Sequence, residues 1–257
     1  MLLLEVDALT RRFGGLLAVS GVSLEIRAGE VVGILGPNGS GKTTLLSLLS
    51  GLLAPTSGRI LWRGRDVAGA NPEVVAALGI VKTFQNPQLF AELSVHDHVM
   101  IASHLALKRM LGLGRAGTLL RPKMADAGLG ARAARVLKLC RLAEVADKPA
   151  AALSYGEEKM LGVAMAMMCE PTLLLLDEPA SGLGREEIAN LGLVLRDLQQ
   201  HGTTLCIIDH KVAFLADFAQ RLVVLQNGEK IAEGAPREVL ADQRVITAYL
   251  GRRNAGA

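Results

Sequence analysis

Two hydrophobic rhythms alternate along this chain. Val31–Leu35 and Leu173–Leu176 are short, unbroken apolar runs, the pattern of strands covered on both faces. Against them stand stretches of helical spacing, one opening at Thr44-Leu45-Leu46 and closed by Gly51, another over 185–200. A strand over 203–209, a helix over 211–219, a strand over 221–226 and an Asn227-Gly228 hairpin turn follow. This alternation predicts an α/β fold around a parallel sheet.

Other segments fall outside that rhythm. Residues 2–7, 22–27 and 58–63 read as strands of a small separate sheet, with turns at Gly14-Gly15, Ala28-Gly29 and Ser57-Gly58. Within 74–90, the run from Gly79 reads as a strand that leaves the sheet with Gln85 at its exit. From about 91 to 153 the periodicity turns helical, with amphipathic stretches over 92–107 and 131–146.

Composition narrows the class. The 257 residues are 50% hydrophobic and 3% aromatic, enough for a large aliphatic core. A net charge of +3 is too mild to argue for nucleic acid, so none is expected as a partner. Cys140, Cys169 and Cys206 lie far apart among apolar residues and read as reduced core residues of a cytosolic protein. The apolar run Leu161–Cys169 stops at Glu170-Pro171, short of the roughly twenty residues a membrane span needs. Met1-Leu2-Leu3-Leu4-Glu5 lacks the basic and long apolar regions of a secretory signal. A mean hydropathy of +0.33 is high for such a chain and suggests a greasy face reserved for a partner.

The chemistry centres on Gly36-Pro37-Asn38-Gly39-Ser40-Gly41-Lys42-Thr43, which fits G-x-x-x-x-G-K-[ST] between a strand and a helix. Glycines let successive backbone N–H groups face a phosphate, and the helix N-terminus adds about half a positive charge. Lys42 is then expected on the β- and γ-phosphates, the Thr43 hydroxyl on Mg2+, and Thr44 beside it. The apolar run 173–176 ends in Asp177-Glu178, where open α/β sheets place ligands. Asp177 suits a metal and Glu178 the attacking water. His210, at the end of the 203–209 strand, is in place to contact the γ-phosphate, and Phe13 offers an aromatic face to adenine. Ser154 and Glu157 fit a capping box opening a helix. Lys108, Arg109, Arg115, Arg121 and Lys123 occur with no acidic residue from Ala102 to Met124, which suits either a solvated loop or a surface facing an anionic leaflet.

The order of phosphate loop, Gln85, Leu153-Ser154-Tyr155-Gly156-Glu157, Asp177-Glu178 and His210 resembles the nucleotide-binding subunit of an ABC transporter along the whole chain. Phe13-Gly14-Gly15-Leu16, Thr83-Phe84-Gln85-Asn86 and the ending Glu233-Gly234-Ala235-Pro236 through Ala248-Tyr249-Leu250-Gly251 are similar to one of the two ATPases of branched-chain amino-acid importers, and the 105–130 insertion suits the longer of that pair. The resemblance implies a P-loop NTPase (RecA-like) α/β core with a small antiparallel β-subdomain, over 1–90 and 158–257, and an inserted α-helical signature subdomain over 91–157. It implies ATP and Mg2+ as ligands, with Thr43, Gln85 and Asp177 around the metal and Glu178, His210 and Gln85 in hydrolysis. Phe13, Gly36, Asn38, Gly39, Ser40, Gly41, Lys42, Thr43, Thr44, Ser154 and Gly156 would bind nucleotide, the last pair across a head-to-tail dimer. Its implied partners are integral permease subunits, a second copy or a paralogous ATPase, and a solute-binding protein, with the chain peripheral on the cytoplasmic face of the cell membrane.

Three positions depart from the family pattern. Gly184 stands where Asp or Asn is usual, Glu157-Glu158 where this branch shows Gln-Gln, and Asp209-His210-Lys211 for Glu-His-Asp. A P-loop kinase would explain Lys42 and Asp177 but not Ser154-Tyr155-Gly156. A ribosome- or nucleic-acid-directed ABC ATPase usually carries two cassettes or a coiled-coil insertion, and this chain shows neither. An importer of urea or other amides is the alternative within the same type.

Overall fold

The computed structural model describes residues 1–83, 87–110 and 122–250, with the side chains of 104–110, 122–127 and 250 outside that description. Its first half runs β1 (Leu2–Phe13), β2 (Leu16–Arg27), β3 (Val31–Leu35), α1 (Lys42–Leu49), β4 (Ser57–Trp62), β5 (Arg65–Asp66), α2 (Pro72–Ala77), β6 (Ile80–Lys82), α3 (Val95–Met110) and α4 (Pro122–Leu139). Then come α5 (Tyr155–Met167), β7 (Leu173–Asp177), α6 (Arg185–Gln200), β8 (Thr204–Ile208), α7 (Val212–Phe218), β9 (Arg221–Gln226), β10 (Glu229–Gly234), α8 (Pro236–Ala241) and α9 (Gln243–Leu250).

The described strands form two sheets. One is antiparallel, in the order β2-β1-β4-β5. The other runs β10-β9-β3-β8-β7-β6 and is parallel except at its β9–β10 hairpin. Every residue of β3, β7 and β8 is buried, as their unbroken apolar runs require. Leu174 and Leu176 of β7 join a core with α3–α6, while Leu173 and Leu175 join a second core with α1 and the antiparallel sheet. Each fully buried leucine contributes about 1.5–3 kcal/mol. The α/β class and the small antiparallel sheet are as the sequence predicts.

Several boundaries differ. β1 and β2 extend to a hairpin at Gly14-Gly15, well beyond 2–7 and 22–27, because each supplies the other's ladder partners past irregularities at Ala8 (φ +46) and Gly21 (φ +58). Ser57-Gly58 is not a turn but the start of β4. The first lobe helix begins at Val95, not at 92, since Ser94 Oγ accepts from Asp97 N and Asp97 Oδ2 accepts from Ser94 N. The second spans Pro122–Leu139 rather than 131–146, and the chain turns at Arg141 (φ +59). Gln85 and all side chains of the basic 105–124 stretch lie outside the described residues or side chains. Among the described residues, no helix is long and apolar enough to cross a membrane.

Candidate active site

The glycine loop leaves β3 and re-enters regular structure at Lys42, two residues earlier than the hydrophobic pattern alone suggests. Gly41 stands at the helix N-cap with φ +98, so Lys42, Thr43 and Thr44 form the first turn of α1. At Gly36 (φ +152) an added Cβ would meet the Leu225 carbonyl oxygen at 2.2 Å, and at Gly41 the Ala18 oxygen at 2.3 Å. Those two glycines are fixed by close backbone approach as well as by conformation. Ser20 N donates to Gly228 O and Gly228 N to Ser40 O, tying β2 and the β9–β10 turn to the loop. Asn38 and Gly39 are exposed at its tip.

The cradle fits an anion. Ser40 is 2% exposed, and its hydroxyl has no partner among the described atoms. Lys42 is buried, with Nζ donating to Gly36 O at 2.8 Å and Pro37 O at 3.0 Å. A buried cation resting on loop carbonyls can exchange them for phosphate oxygens without crossing the interior.

Strand register brings the acidic residues to the same sheet edge. Asp177 pairs with Ile208, and Ile208 with Ile34, two residues before Gly36. Asp177 Oδ2 lies 3.0 Å from Lys82 Nζ, both side chains buried. Glu178 follows with φ +50, a left-handed backbone uncommon for a side-chain-bearing residue, and its N–H donates to Ile208 O at 2.8 Å. His210 Nδ1 is 3.7 Å from Glu178 Oε2 and 3.8 Å from Asp209 Oδ1. Glu178 and His210 therefore stand side by side at the end of the sheet.

The helix at Ser154 starts as its capping box predicts: Ser154 Oγ accepts from Glu157 N, and Glu157 Oε2 accepts from Ser154 N at 2.7 Å. Ser154 and Tyr155 are exposed, while Gly156 is buried against Glu187. A Cβ on Gly156 would lie 2.5 Å from Glu187 Oε1, and one on Gly182 would lie 2.6 Å from the Tyr155 ring. Glu187 Oε2 in turn accepts from Gly184 N at 2.8 Å. This segment and the loop after β7 are thus joined within one chain.

Asp209 and Lys211 serve the same loop. Asp209 is fully buried and accepts from Ala180 N and Lys211 N, both at 2.9 Å, and Lys211 Nζ donates to Leu183 O at 2.9 Å. Phe13 is 42% exposed at the end of β1 rather than packed on the core, with the Arg11 guanidinium 4.5 Å from its ring centre.

Three residues at the site escape the sequence reading. Glu187 acts through the register of one helix against another. Lys82 gives a local signal, a lone cation ending the apolar Ile80-Val81 strand three residues before Gln85. Tyr249, whose hydroxyl accepts from Gly36 N at 2.8 Å, comes from the far end of the chain.

The comparisons with known proteins agree with this geometry. Residues 19–181 match the family described as ABC transporter, and residues 229–254 the one described as branched-chain amino acid ATP-binding cassette transporter. The high-affinity branched-chain amino acid transport ATP-binding protein LivG of Salmonella typhimurium is 39% identical over 97% of this chain and 98% of that protein. The corresponding BraF of Pseudomonas aeruginosa is 36% identical over 97% and 98%. Among solved structures, the ADP conformation of MJ1267, an ATP-binding cassette of an ABC transporter, superposes with a TM-score of 0.85 at 28% identity, covering 98% of this chain and 99% of that one. With the phosphate loop, the paired carboxylates and the capped Ser154 helix in one fold, the chain belongs to the ATP-binding subunits of ABC transporters, ATPases that energise transport, in the branched-chain amino-acid transport branch.

Proposed function

We propose that this chain is the motor of an importer for branched-chain or other hydrophobic amino acids, held peripherally on the cytoplasmic face of the cell membrane by separate integral permease subunits. The observation that carries this reading is the match of residues 229–254 to the branched-chain cassette description, in a chain aligned end to end with transport ATPases of that name. A solute-binding protein would deliver the amino acid. The core would comprise 1–90 and 158–257, with 91–157 as the inserted lobe that meets the permease.

Bound MgATP supplies the phosphoanhydride whose hydrolysis drives the cycle. Thr43 and Asp177 offer hard oxygen ligands suited to Mg2+, and Gln85 would complete the set. Lys42 would turn from the Gly36 and Pro37 carbonyls to the phosphates, and Phe13 would stack on adenine. Glu178 would take the proton of the attacking water on its carboxylate, while His210, 3.7 Å from that carboxylate, would hold it and the γ-phosphate in place. Ser154 and Gly156 would cap the phosphates held by a second subunit, either another copy or a paralogous ATPase. Ser154 is exposed at the helix start, where such a contact would be made, with the buried Gly156 supplying backbone behind it.

Reconstitution with the permease that co-purifies with this chain, followed by ATP-dependent uptake of labelled leucine, isoleucine and valine, tests the assignment. Uptake of urea or another amide without the amino acids would overturn it. Turnover of ATP unaffected by Lys42→Ala would overturn the site itself.

A further inference from the structure

We infer that Tyr249 is a positioning residue of the phosphate loop, and that α9, which carries it, is a clasp coupled to nucleotide at that loop. The inference rests on the reading of Gly36–Thr43 as the nucleotide site. Its observation is one contact spanning 213 positions of sequence, in which the Tyr249 hydroxyl accepts a hydrogen bond from Gly36 N at 2.8 Å. Gly36 is the first residue of the loop, and its carbonyl accepts from Lys42 Nζ at 2.8 Å. The peptides on both sides of Gly36 are therefore held, one by a residue inside the loop and one by α9.

The two holds have different fates. Lys42 is the cation that leaves for phosphate, whereas Tyr249 has no charge to offer a phosphate and can stay. It then fixes the entry to the loop while Lys42 changes partners. Val245 and Ala248 bury α9 against the core, and Tyr249 packs partly buried beside them. That burial raises its hydroxyl above the ordinary tyrosine value, so it remains protonated at neutral pH. A cavity of about 430 Å3 separates the loop tip from the helix, with Asn38 and Ser40 on one side, Asn227 beside them, and Thr247 and Ala248 opposite. The loop tip is thus open while its root is clasped. The clasp also lies in the branch-specific 229–254 segment, outside the 19–181 span shared by ABC transporters at large.

A loop held at its root before ligand arrives loses less freedom on binding, so the clasp strengthens nucleotide affinity by pre-organisation. Linkage makes the effect reciprocal: nucleotide must stabilise the docking of α9 by the same factor.

The test uses the full chain, with ADP as the probe. Tyr249→Phe keeps the ring and removes the hydroxyl. It should weaken ADP affinity about three- to tenfold, the range for one net hydrogen bond. Amide exchange over residues 33–42 should rise without nucleotide, and ADP should protect residues 243–249 in the parent chain more than in the variant. Its thermal midpoint without nucleotide should fall by only about 2–4 °C, the shift for about 1 kcal/mol in a chain of this size, so that the loss of affinity is not one of folding. Lys42→Ala serves as the control for the site. Parental ADP affinity in Tyr249→Phe, with binding lost in Lys42→Ala, would overturn the clasp alone. Binding retained in Lys42→Ala would overturn the nucleotide site beneath it. Tighter binding in Tyr249→Phe would also reject the clasp, since it would make the contact a brake.

Discussion

Lys82 Nζ and Asp177 Oδ2 stand 3.0 Å apart inside the protein, with 8% and 7% of their side chains exposed. Neighbouring parallel strands hold the pair, which neutralises the carboxylate expected to bind metal. Removing one partner of a buried ion pair leaves an uncompensated charge, at a cost of about 3–5 kcal/mol. Lys82→Met should therefore destabilise the chain by that order in denaturant unfolding. Added MgADP should recover more stability in the variant than in the parent, because the metal would supply the missing positive charge. Equal recovery in both would show that Lys82 does not neutralise the metal carboxylate.

Glu178→Gln keeps the shape of the side chain and removes the base. ATP hydrolysis should fall by about 10²- to 10⁴-fold, the usual loss for a general base. ATP binding should survive, because Lys42, Thr43 and the glycine cradle are untouched. If ATP favours a closed pair of subunits, unspent ATP should shift the population toward dimer. Light scattering after size exclusion, with and without ATP, reads the shift. Turnover at the parental rate would remove Glu178 from the mechanism.

Gly156 and Glu187 are coupled by space. Gly156→Ala would push on Glu187 Oε1 and loosen the hydrogen bond from Gly184 N to Glu187 Oε2. The expected loss is about 1 kcal/mol. In a Glu187→Ala background the added methyl has nothing to strike, so the double variant should lose less than the sum of the singles. Denaturant unfolding of the four proteins measures the coupling, and strict additivity would reject it.

Two buried thiols predict an alkaline weakness. Burial pushes Cys140 and Cys206 from the ordinary 9.0 up to about 12. The unfolded chain releases these protons from pH 9.0 upward, while the folded chain keeps them until about pH 12. The folded state then binds more protons across that window, so stability falls as pH rises, by roughly 1.4 kcal/mol per thiol per pH unit. Cys206→Ala should flatten the slope of denaturant stability between about pH 8 and about pH 10. An unchanged slope would count against the buried thiol as its source.

What was legible in the sequence was local. The glycine loop between strand and helix, the end of β7 at Asp177, the capping box at Ser154 and the Asn227-Gly228 turn are each specified by neighbouring residues and form in place, the helix after the loop starting two residues early. Lys82, Glu187 and Tyr249 reach the site through strand register, helix packing and a contact between distant parts of the chain. No short window contains both partners of any of these contacts. The lengths of β1 and β2 were hidden for a related reason: Ala8 and Gly21 interrupt the alternation, and only the opposing strand shows that the ladder continues.

The divided allegiance of β7 has a mechanical consequence. Its side chains are gripped alternately by two close-packed masses, Leu174 and Leu176 by one and Leu173 and Leu175 by the other. Such interiors resist compression and transmit strain rather than absorb it. A small pull at Asp177 therefore cannot be spent in local flexing, because the strand would have to shear against both flanks at once. A displacement of its carboxylate tip would be felt on both faces of the sheet, because neither face can yield alone.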